Sequence, residues 1–85
     1  MKTTNFVMKL TKKQKREIAK MAVEKSESLE NGLMQVWIDE SGMFSVLIGG
    51  EYRDNHHTHV ATLRVWNESK PYTQAAFMRQ LEETF

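Results

Sequence analysis

The sequence predicts an α+β fold in which two helices cover one face of a three-stranded antiparallel sheet, in the order α-β-β-β-α. Two segments, one near each end of the chain, carry apolar residues at helical spacing, and the middle of the chain alternates apolar and polar residues as half-buried strands do. With 85 residues and no cysteine, we expect a single domain spanning residues 1–85 whose hydrophobic core is built without disulfides.

The first helix is expected over residues 12–30. Thr11 is a suitable N-cap residue, and Gln14 three positions later completes a capping box. Asn31 and Gly32 supply the left-handed conformation that commonly ends a helix. At about 100° per residue, one face of this helix collects the residues expected to meet the core, namely Gln14, Ile18, Met21, Ala22, Lys25 and Leu29.

The segment LMQVWIDESGMFSVLIGG predicts a β-hairpin. The stretch DESG, residues 39–42, lies between two alternating segments and suits a type I turn with Gly42 in the bulge position, which pairs Asp39 with Met43. Turn chemistry and apolar pattern then agree on one register. It places six apolar residues on the same face, in the pairs Ile38–Phe44, Val36–Val46 and Met34–Ile48.

The third strand is expected within RDNHHTHVATLRVW, residues 53–66. A two-residue turn at Asp54 and Asn55 would pair this strand with the second one, and a four-residue loop would keep the same faces aligned. The apolar faces match when Ile48 opposes Ala61, Val46 opposes Leu63 and Phe44 opposes Val65.

The second helix is expected in SKPYTQAAFMRQLEETF, from about Pro71. Proline suits the first helical turn, and the residue before a proline resists the helical conformation. The apolar stripe of this helix consists of Phe77, Met78, Leu81 and Phe85. A short extra strand over Asn5 to Leu10 is also compatible with the sequence. Placing both helices on one face of the sheet is the simplest way to bury both apolar stripes.

Three histidines, His56, His57 and His59, raise the question of a metal site or a pH switch. His57 and His59 lie two positions apart on one strand and therefore on the same face. A zinc site needs at least three protein ligands, and without cysteine the third would be a carboxylate that the spacing does not single out. A pH switch requires histidines buried beside cations or at an interface. We therefore expect a polar hairpin end without metal, His57 and His59 being weak candidates for ligands.

No motif of enzyme chemistry is recognisable. The serines lack a nucleophile elbow or an oxyanion motif, and IGGE lacks the spacing and the following helix of a phosphate-binding loop. We therefore expect neither enzymatic activity nor a cofactor. No run of about 18 apolar residues is present, and MKTTNFVMKL lacks the apolar core of a signal peptide. These two observations predict a cytoplasmic protein without membrane contact.

The charges are unevenly distributed, although the net charge is only +1. Residues 1–25 carry eight Lys or Arg and two Glu, whereas residues 26–85 carry four Lys or Arg and nine Asp or Glu. The N-terminal half of the first helix is basic, although the helix dipole disfavours cations in the first turns. Its cations are candidates for contact with phosphate or other anions, unless they only form a solvated face: Lys12, Lys13, Lys15, Arg16 and Lys20.

The sheet face that points away from the helices is the second candidate surface. The expected registers place Trp37, Ser45 and Arg64 in one row, with Met43 and Trp66 in the next. Such residue types are typical of protein interfaces. The candidates for protein contact are Trp37, Met43, Leu47, Arg64 and Trp66. Residues 1–10, or a second copy in a homodimer, would be alternative covers for the same face.

The element order resembles that of the double-stranded RNA-binding domain over residues 11–85. That resemblance implies RNA contact through the first helix, a hairpin loop and the start of the second helix, where this chain has Lys70. We nevertheless expect a small non-enzymatic binding module, an accessory protein of a phage or mobile element that binds a larger host protein and modulates or inhibits it. The alternative is a nucleic-acid-binding protein using the first helix. The net charge of +1 favours the protein partner, because nucleic-acid-binding domains are commonly strongly basic.

Overall fold

A computed structural model describes residues 9–29, 31–65 and 73–84 of the chain. Its elements follow the predicted α-β-β-β-α order, so the α+β fold class is confirmed. They are α1 (Lys12–Ser26), β1 (Gly32–Asp39), β2 (Phe44–Ile48), β3 (His57–Val65) and α2 (Gln74–Thr84). The extra strand predicted over residues 5–10 lies outside the described residues up to position 8, and Lys9 and Leu10 are not in a strand.

The start of α1 forms by the predicted capping box. The amide of Gln14 donates to Thr11 Oγ1 at 3.1 Å, and the amide of Thr11 donates to Gln14 Oε1 at 2.9 Å. Two backbone donors that have no partner within the helix are thereby satisfied.

The end of α1 was predicted wrongly, because the helix stops at Ser26 and Gly32 is already the first residue of β1. The hydroxyl of Ser26 donates to the carbonyl of Val23, and the hydroxyl of Ser28 donates to the carbonyl of Lys25. These hydroxyls satisfy backbone carbonyls without a further helical turn, which is why serine competes with helix continuation.

The β1–β2 hairpin has the predicted register, with Met34 opposite Ile48, Val36 opposite Val46 and Ile38 opposite Phe44. Its turn is closed by Gly42, whose φ of +91° lies in the left-handed region that glycine adopts without strain. The Asp39 carboxylate accepts hydrogen bonds from the amides of Ser41 and Met43 and from the Ser41 hydroxyl. These bonds, the Ser41 hydroxyl first, lower the pKa of Asp39.

The predicted pairing of β3 with β2 is wrong, because the strand order is β2-β1-β3 and β3 pairs antiparallel with β1. The nine-residue β3 gains a longer ladder against the eight-residue β1 than it could against the five-residue β2. Asp54 does not form a hairpin turn; its carboxylate accepts from the amides of His56 and His57. Residues 49–56, hereafter the crossover, instead carry the chain from one edge strand to the other.

The second helix begins at Gln74 rather than near Pro71, which lies outside the described residues. Thr73 caps it, because its hydroxyl accepts from the amide of Ala76. Of the predicted stripe, Phe77 and Leu81 are buried and Met78 is half-buried, while Phe85 is not among the described residues.

Both helices and all three strands contribute to one core on the inner face of the sheet. From α1 the core takes Ile18 and Ala22, as predicted, but also Ala19, whereas Lys25 is exposed. The α1 helix packs over β2, and α2 packs over β3 and against α1. The buried strand residues are Met34, Val36, Phe44, Val46, Ala61, Leu63 and Val65.

Candidate functional site

The crossover passes over the outer face of the sheet, which is the face opposite the helices and carries Trp37. The Tyr52 ring lies edge-to-face against the Trp37 ring, with centroids 5.6 Å apart and planes at 81°. The Tyr52 ring also stacks on the His57 ring, with centroids 3.6 Å apart and an angle of 3° between the planes. The ring of Trp37 on the outer face is therefore covered by the Tyr52 side chain of the crossover.

Trp37 is packed beneath the crossover and does not stand out as an exposed anchor. Its ring is in edge-to-face contact with His59 as well, at 5.1 Å. Within the described ranges, Trp37 Nε1 is the buried side-chain polar atom without a hydrogen-bond partner. A cleft of about 390 Å³ remains between the crossover and the sheet, lined by Gln35, Trp37, Gly50, Glu51 and His59.

A β-bulge places His57 and His59 on this outer face. Val36 pairs with Ala61, but the next residue, Trp37, pairs with His59, so Val60 is the extra residue on β3. An unbroken strand would have put His59 on the same face as the buried Ala61, because side chains alternate with a period of two. The bulge shifts that alternation, and a bulge commonly re-aims side chains in this way.

Each histidine of the crossover end has a different partner. His57 Nδ1 lies 3.0 Å from both carboxylate oxygens of Asp54, and His56 Nδ1 lies 3.2 Å from Glu40 Oε1. His59 Nε2 lies 2.6 Å from Gln35 Oε1, which also accepts from the Thr62 hydroxyl. Among the described residues, no group of three or more His, Asp or Glu side chains is placed to hold a metal ion.

The Asp54–His57 contact predicts a measurable titration. The hydrogen bond from the His57 ring, followed by that from the His56 amide, lowers the pKa of Asp54 from its ordinary value of 3.8. Because the pKa is lowered in the folded state, the contact stabilises the fold above pH 3.8 and this contribution is lost as the pH falls through the lowered value. We expect His57→Ala to raise the pKa of Asp54 toward 3.8 in an NMR titration of carboxyl carbons.

The matched control for this titration is His56→Ala, because His56 bonds Asp54 through its backbone amide, which alanine retains. The pKa of Asp54 should stay low in that variant. An equal rise in both variants would show that the ring of His57 is not the main cause.

The outer edge of β3 is covered by α2. The Gln80 side chain accepts from the amide of Arg64 and donates to its carbonyl, both at 2.9 Å. The side-chain amide thus takes the place that a neighbouring strand would occupy. Unpaired strand edges invite association with other chains, and covering them with a helix is a common protection.

Replacing Gln80 with alanine tests this cover. We expect the variant to lose about 1 kcal/mol of unfolding free energy, the usual net value of such hydrogen bonds. Hydrogen exchange at the Arg64 amide should accelerate. The exposed neighbour Glu82→Ala, on the same helix, should change neither quantity, and equal effects from both would contradict the role of the Gln80 amide.

On the outer edge of β2 no described side chain takes such a place, although Phe44 and Val46 are only 5% and 3% exposed as whole residues. In an antiparallel ladder, residue pairs that exchange hydrogen bonds alternate with pairs that do not. The Asp39 amide donates to the Met43 carbonyl at 3.0 Å, so the hydrogen-bonded pairs of β1 and β2 follow from this pair at every second residue. The backbone groups of the intervening residues Phe44, Val46 and Ile48 therefore point outward. No described residue hydrogen-bonds to these groups, which we call the open edge.

Exposed apolar side chains lie at both ends of the open edge. Met43 is 65% exposed and Ile48 is 38% exposed. The segment MFSVLIGG contains no charged residue and no proline, which are the residues that commonly blunt an edge strand. Leu47, predicted as a contact residue, is half-buried on the outer face.

A further exposed apolar residue, Leu33, lies at the other end of the outer face and is 50% exposed. It pairs with Arg64, so the predicted row of Trp37 with Arg64 is wrong; Trp37 lies between Ser45 and His59. The error follows from the wrong partner assumed for β3. Around Leu33 is a cleft of about 420 Å³, lined also by Thr62, Arg64, Gln80, Glu83 and Thr84.

The predicted anion-binding residues remain on one helix. Lys12, Lys13, Arg16 and Lys20 are exposed, whereas Lys15 is half-buried. None of the five forms a salt bridge to a residue within 9–29, 31–65 or 73–84. Trp66, the last of the predicted protein-contact residues, lies outside the described residues.

No protein-family model, no curated protein and no solved structure matches this chain. None of the helices in the described part of the chain combines the length and apolar character needed to cross a membrane.

Proposed function

We propose that this chain is a non-enzymatic protein-binding module that receives an extended segment of another polypeptide along the open edge. The observation that supports this proposal is the contrast between the two edges of the sheet. On β3, the Gln80 side chain hydrogen-bonds to the backbone amide and carbonyl of Arg64 that point away from β1. On β2, the corresponding groups of Phe44, Val46 and Ile48 have no hydrogen-bond partner among the described residues.

The chemistry of the open edge favours a polypeptide over other ligands. Outward N–H and C=O groups repeat at every second residue of β2, and the backbone of an extended segment offers complementary groups at the same spacing. Strand addition of this kind draws affinity from main-chain hydrogen bonds and specificity from side-chain contacts. Met43 and Ile48, at the two ends, supply exposed apolar contacts for the bound segment.

The partner that fits the proposal is a larger protein with an accessible extended segment, which this small chain would modulate or inhibit as an accessory protein. Of the residues predicted for protein contact, Met43 and Leu47 flank the open edge and keep this role. Trp37 is assigned to packing beneath the crossover instead, because Tyr52 and His59 contact its ring.

A nucleic-acid-binding function is the second candidate, and the exposure of Lys12, Lys13, Arg16 and Lys20 on one helix favours it. Affinity carried by these cations should fall steeply with salt, since each phosphate contact releases condensed counterion. Replacing Lys12, Arg16 and Lys20 with glutamine should then weaken binding to all sequences alike. Binding through the open edge should survive the same substitutions.

The test of strand addition is Ile48→Pro, with Ile48→Val as its matched control. The Ile48 amide points away from β1, so proline removes an outward donor without removing a bond of the β1–β2 ladder. Both variants would be used as bait in lysates of the cells that express the chain, with a photoreactive residue at position 43. Each capture would be done with and without nuclease. We expect proline to reduce retention of the crosslinked partner by about tenfold or more, and valine to leave it unchanged.

Two outcomes would contradict strand addition in this experiment. One is a partner retained equally by the proline and valine variants. The other is a partner released by nuclease and lost in the glutamine variant, which would support the nucleic-acid candidate.

A further inference from the structure

We infer that residues 3–8 of this chain lie along the open edge as an added antiparallel strand beside β2, and that a partner segment must displace them. The regulatory part of this inference rests on the proposed function, since it concerns the same edge. The chain's own segment acts as an intramolecular competitor of the partner.

Most of the open edge is shielded from water. Phe44 and Val46 are 5% and 3% exposed as whole residues, backbone included, whereas Ile48 at the far end is 38% exposed. No described residue hydrogen-bonds to the outward groups of Phe44 and Val46. Buried backbone groups are almost always paired, so their partners belong to the part of the chain outside residues 9–29, 31–65 and 73–84.

Residues 1–8 are the segment that reaches this edge. They lead into α1, the helix that packs over β2. Residues 66–72 instead connect β3, at the opposite edge of the sheet, to α2. Eight extended residues span about 26 Å, which is more than the roughly 17 Å spanned by the five residues of β2.

The direction of approach makes the added strand antiparallel to β2. The α1 helix ends near the start of β1, where the Leu29 side chain packs beside Gly32. Its 15 residues span about 22 Å, so its start lies toward the opposite end of the sheet, where Phe44 begins β2. A chain that reaches Thr11 along this edge therefore runs from the Ile48 end to the Phe44 end, opposite to β2.

The apolar pattern of the segment fits the margin of the core. In NFVMKL, residues 5–10, Phe6, Met8 and Leu10 recur at every second position. Leu10 is half-buried and packs against the core, whereas Lys9 is exposed. Continued with the period of two that a strand requires, this phase puts Phe6 and Met8 on the inner side of the sheet and Val7 on the outer side.

Tethering makes this segment a strong competitor for the edge. The effective concentration of a segment joined by a short connection is on the order of millimolar. A partner segment therefore begins at Ile48, where the edge is exposed, and displaces the chain's own strand from Val46 and Phe44.

Hydrogen exchange in the full chain tests the position of the segment. Phe6→Asp places a carboxylate on the inner side, whereas Val7→Asp places the same group in water and is the matched control. We expect the Phe44 and Val46 amides to exchange slowly in the natural chain and in Val7→Asp. In Phe6→Asp they should exchange about tenfold faster or more.

The amides of Ser45 and Leu47 are the internal reference, because they lie in the hydrogen-bonded pairs of the β1–β2 ladder. Their exchange rates should be the same in all three proteins while the sheet is intact. If Phe6→Asp also accelerates the reference amides by unfolding, the milder Phe6→Ala takes its place beside Val7→Ala.

Capture of a partner through the photoreactive residue at position 43 tests the competition. Phe6→Asp should retain about threefold more crosslinked partner than Val7→Asp, because its edge is unoccupied for a larger fraction of the time. Equal retention by the two variants would overturn the competition.

Fast exchange of the Phe44 and Val46 amides in the natural chain would overturn the position of the segment, and so would equal rates in Phe6→Asp and Val7→Asp. The exchange measurements contain no partner. Their outcome is therefore separate from that of the Ile48→Pro capture experiment, which tests strand addition by another protein.

Discussion

Replacing Val46 with aspartate is expected to unfold the domain. Val46 is 3% exposed in the middle of β2, with its side chain in the core beneath α1. An unpaired carboxylate there would lose its hydration without gaining a partner, at a cost of several kcal/mol. A small domain is commonly stable by about 5 kcal/mol or somewhat more, so this one change can exceed the whole stability. Far-ultraviolet circular dichroism and thermal unfolding would record the loss.

The adjacent substitution Leu47→Asp is the control for Val46→Asp. Leu47 lies on the outer face, opposite Gln35 in the ladder, and its carboxylate replacement can remain in contact with water. We expect this variant to fold, with a far smaller change in unfolding free energy. A folded Val46→Asp beside an unfolded Leu47→Asp would mean that the two faces of the sheet had been exchanged.

Replacing Phe77 with alanine is expected to reduce the unfolding free energy by about 3–5 kcal/mol, the usual cost of deleting a buried aromatic side chain. Phe77 is fully buried and belongs to the core shared by the helices and the strands. Urea denaturation followed by tryptophan fluorescence would give the change from the shifted midpoint. The loss should be large because the cavity left by a phenyl ring is only partly closed by relaxation of its neighbours.

Arg79→Ala, two residues further along α2, provides the comparison for Phe77→Ala. Arg79 is exposed, and surface substitutions of this type usually change stability by less than about 0.5 kcal/mol. A loss for Arg79→Ala as large as that for Phe77→Ala would contradict the position of α2 on the inner face.

The parts of the fold that depend on nearby residues could be predicted from the sequence. The capping box needs only Thr11 and Gln14, and the β1–β2 register needs only the turn at residues 39–42 and the flanking apolar pattern. Each of these features is decided by contacts over a few positions. Local chemistry and burial agree there, which leaves a single solution.

The partner of β3 could not be predicted in the same way, because both candidate ladders bury the same residues. Ala61, Leu63 and Val65 face the core whether they oppose β2 or β1. The alternation of apolar residues specifies a face but does not specify a neighbour. The choice depends on the relative lengths of the strands and on the crossover packing of Tyr52 over Trp37, which is a contact between distant positions.

The same reason limits what could be predicted of the candidate site. Met43 was predicted as a contact residue from its type and is exposed, but the open edge is a property of strand order and could not be recognised with β2 placed between two neighbours. Gln80 gave no signal, since a glutamine that caps a strand edge looks like any polar residue on a helix. The bulge at Val60 had a weak signal, because it follows His59 where alternation calls for a polar residue.

The central position of β1 limits how short the chain can become between β2 and β3. Both strands run antiparallel to β1, so the crossover must travel from the Met34 end of β1 to the Asp39 end. That distance is about 17 Å along the strand, and the chain must also move two strands sideways and rise over the ring of Trp37. From Ile48 to His57 an extended chain reaches only about 30 Å, so after deletion of about three residues the crossover would have no spare length. Insertions should be tolerated in the crossover, whereas shortening it would force β3 to abandon its place beside β1.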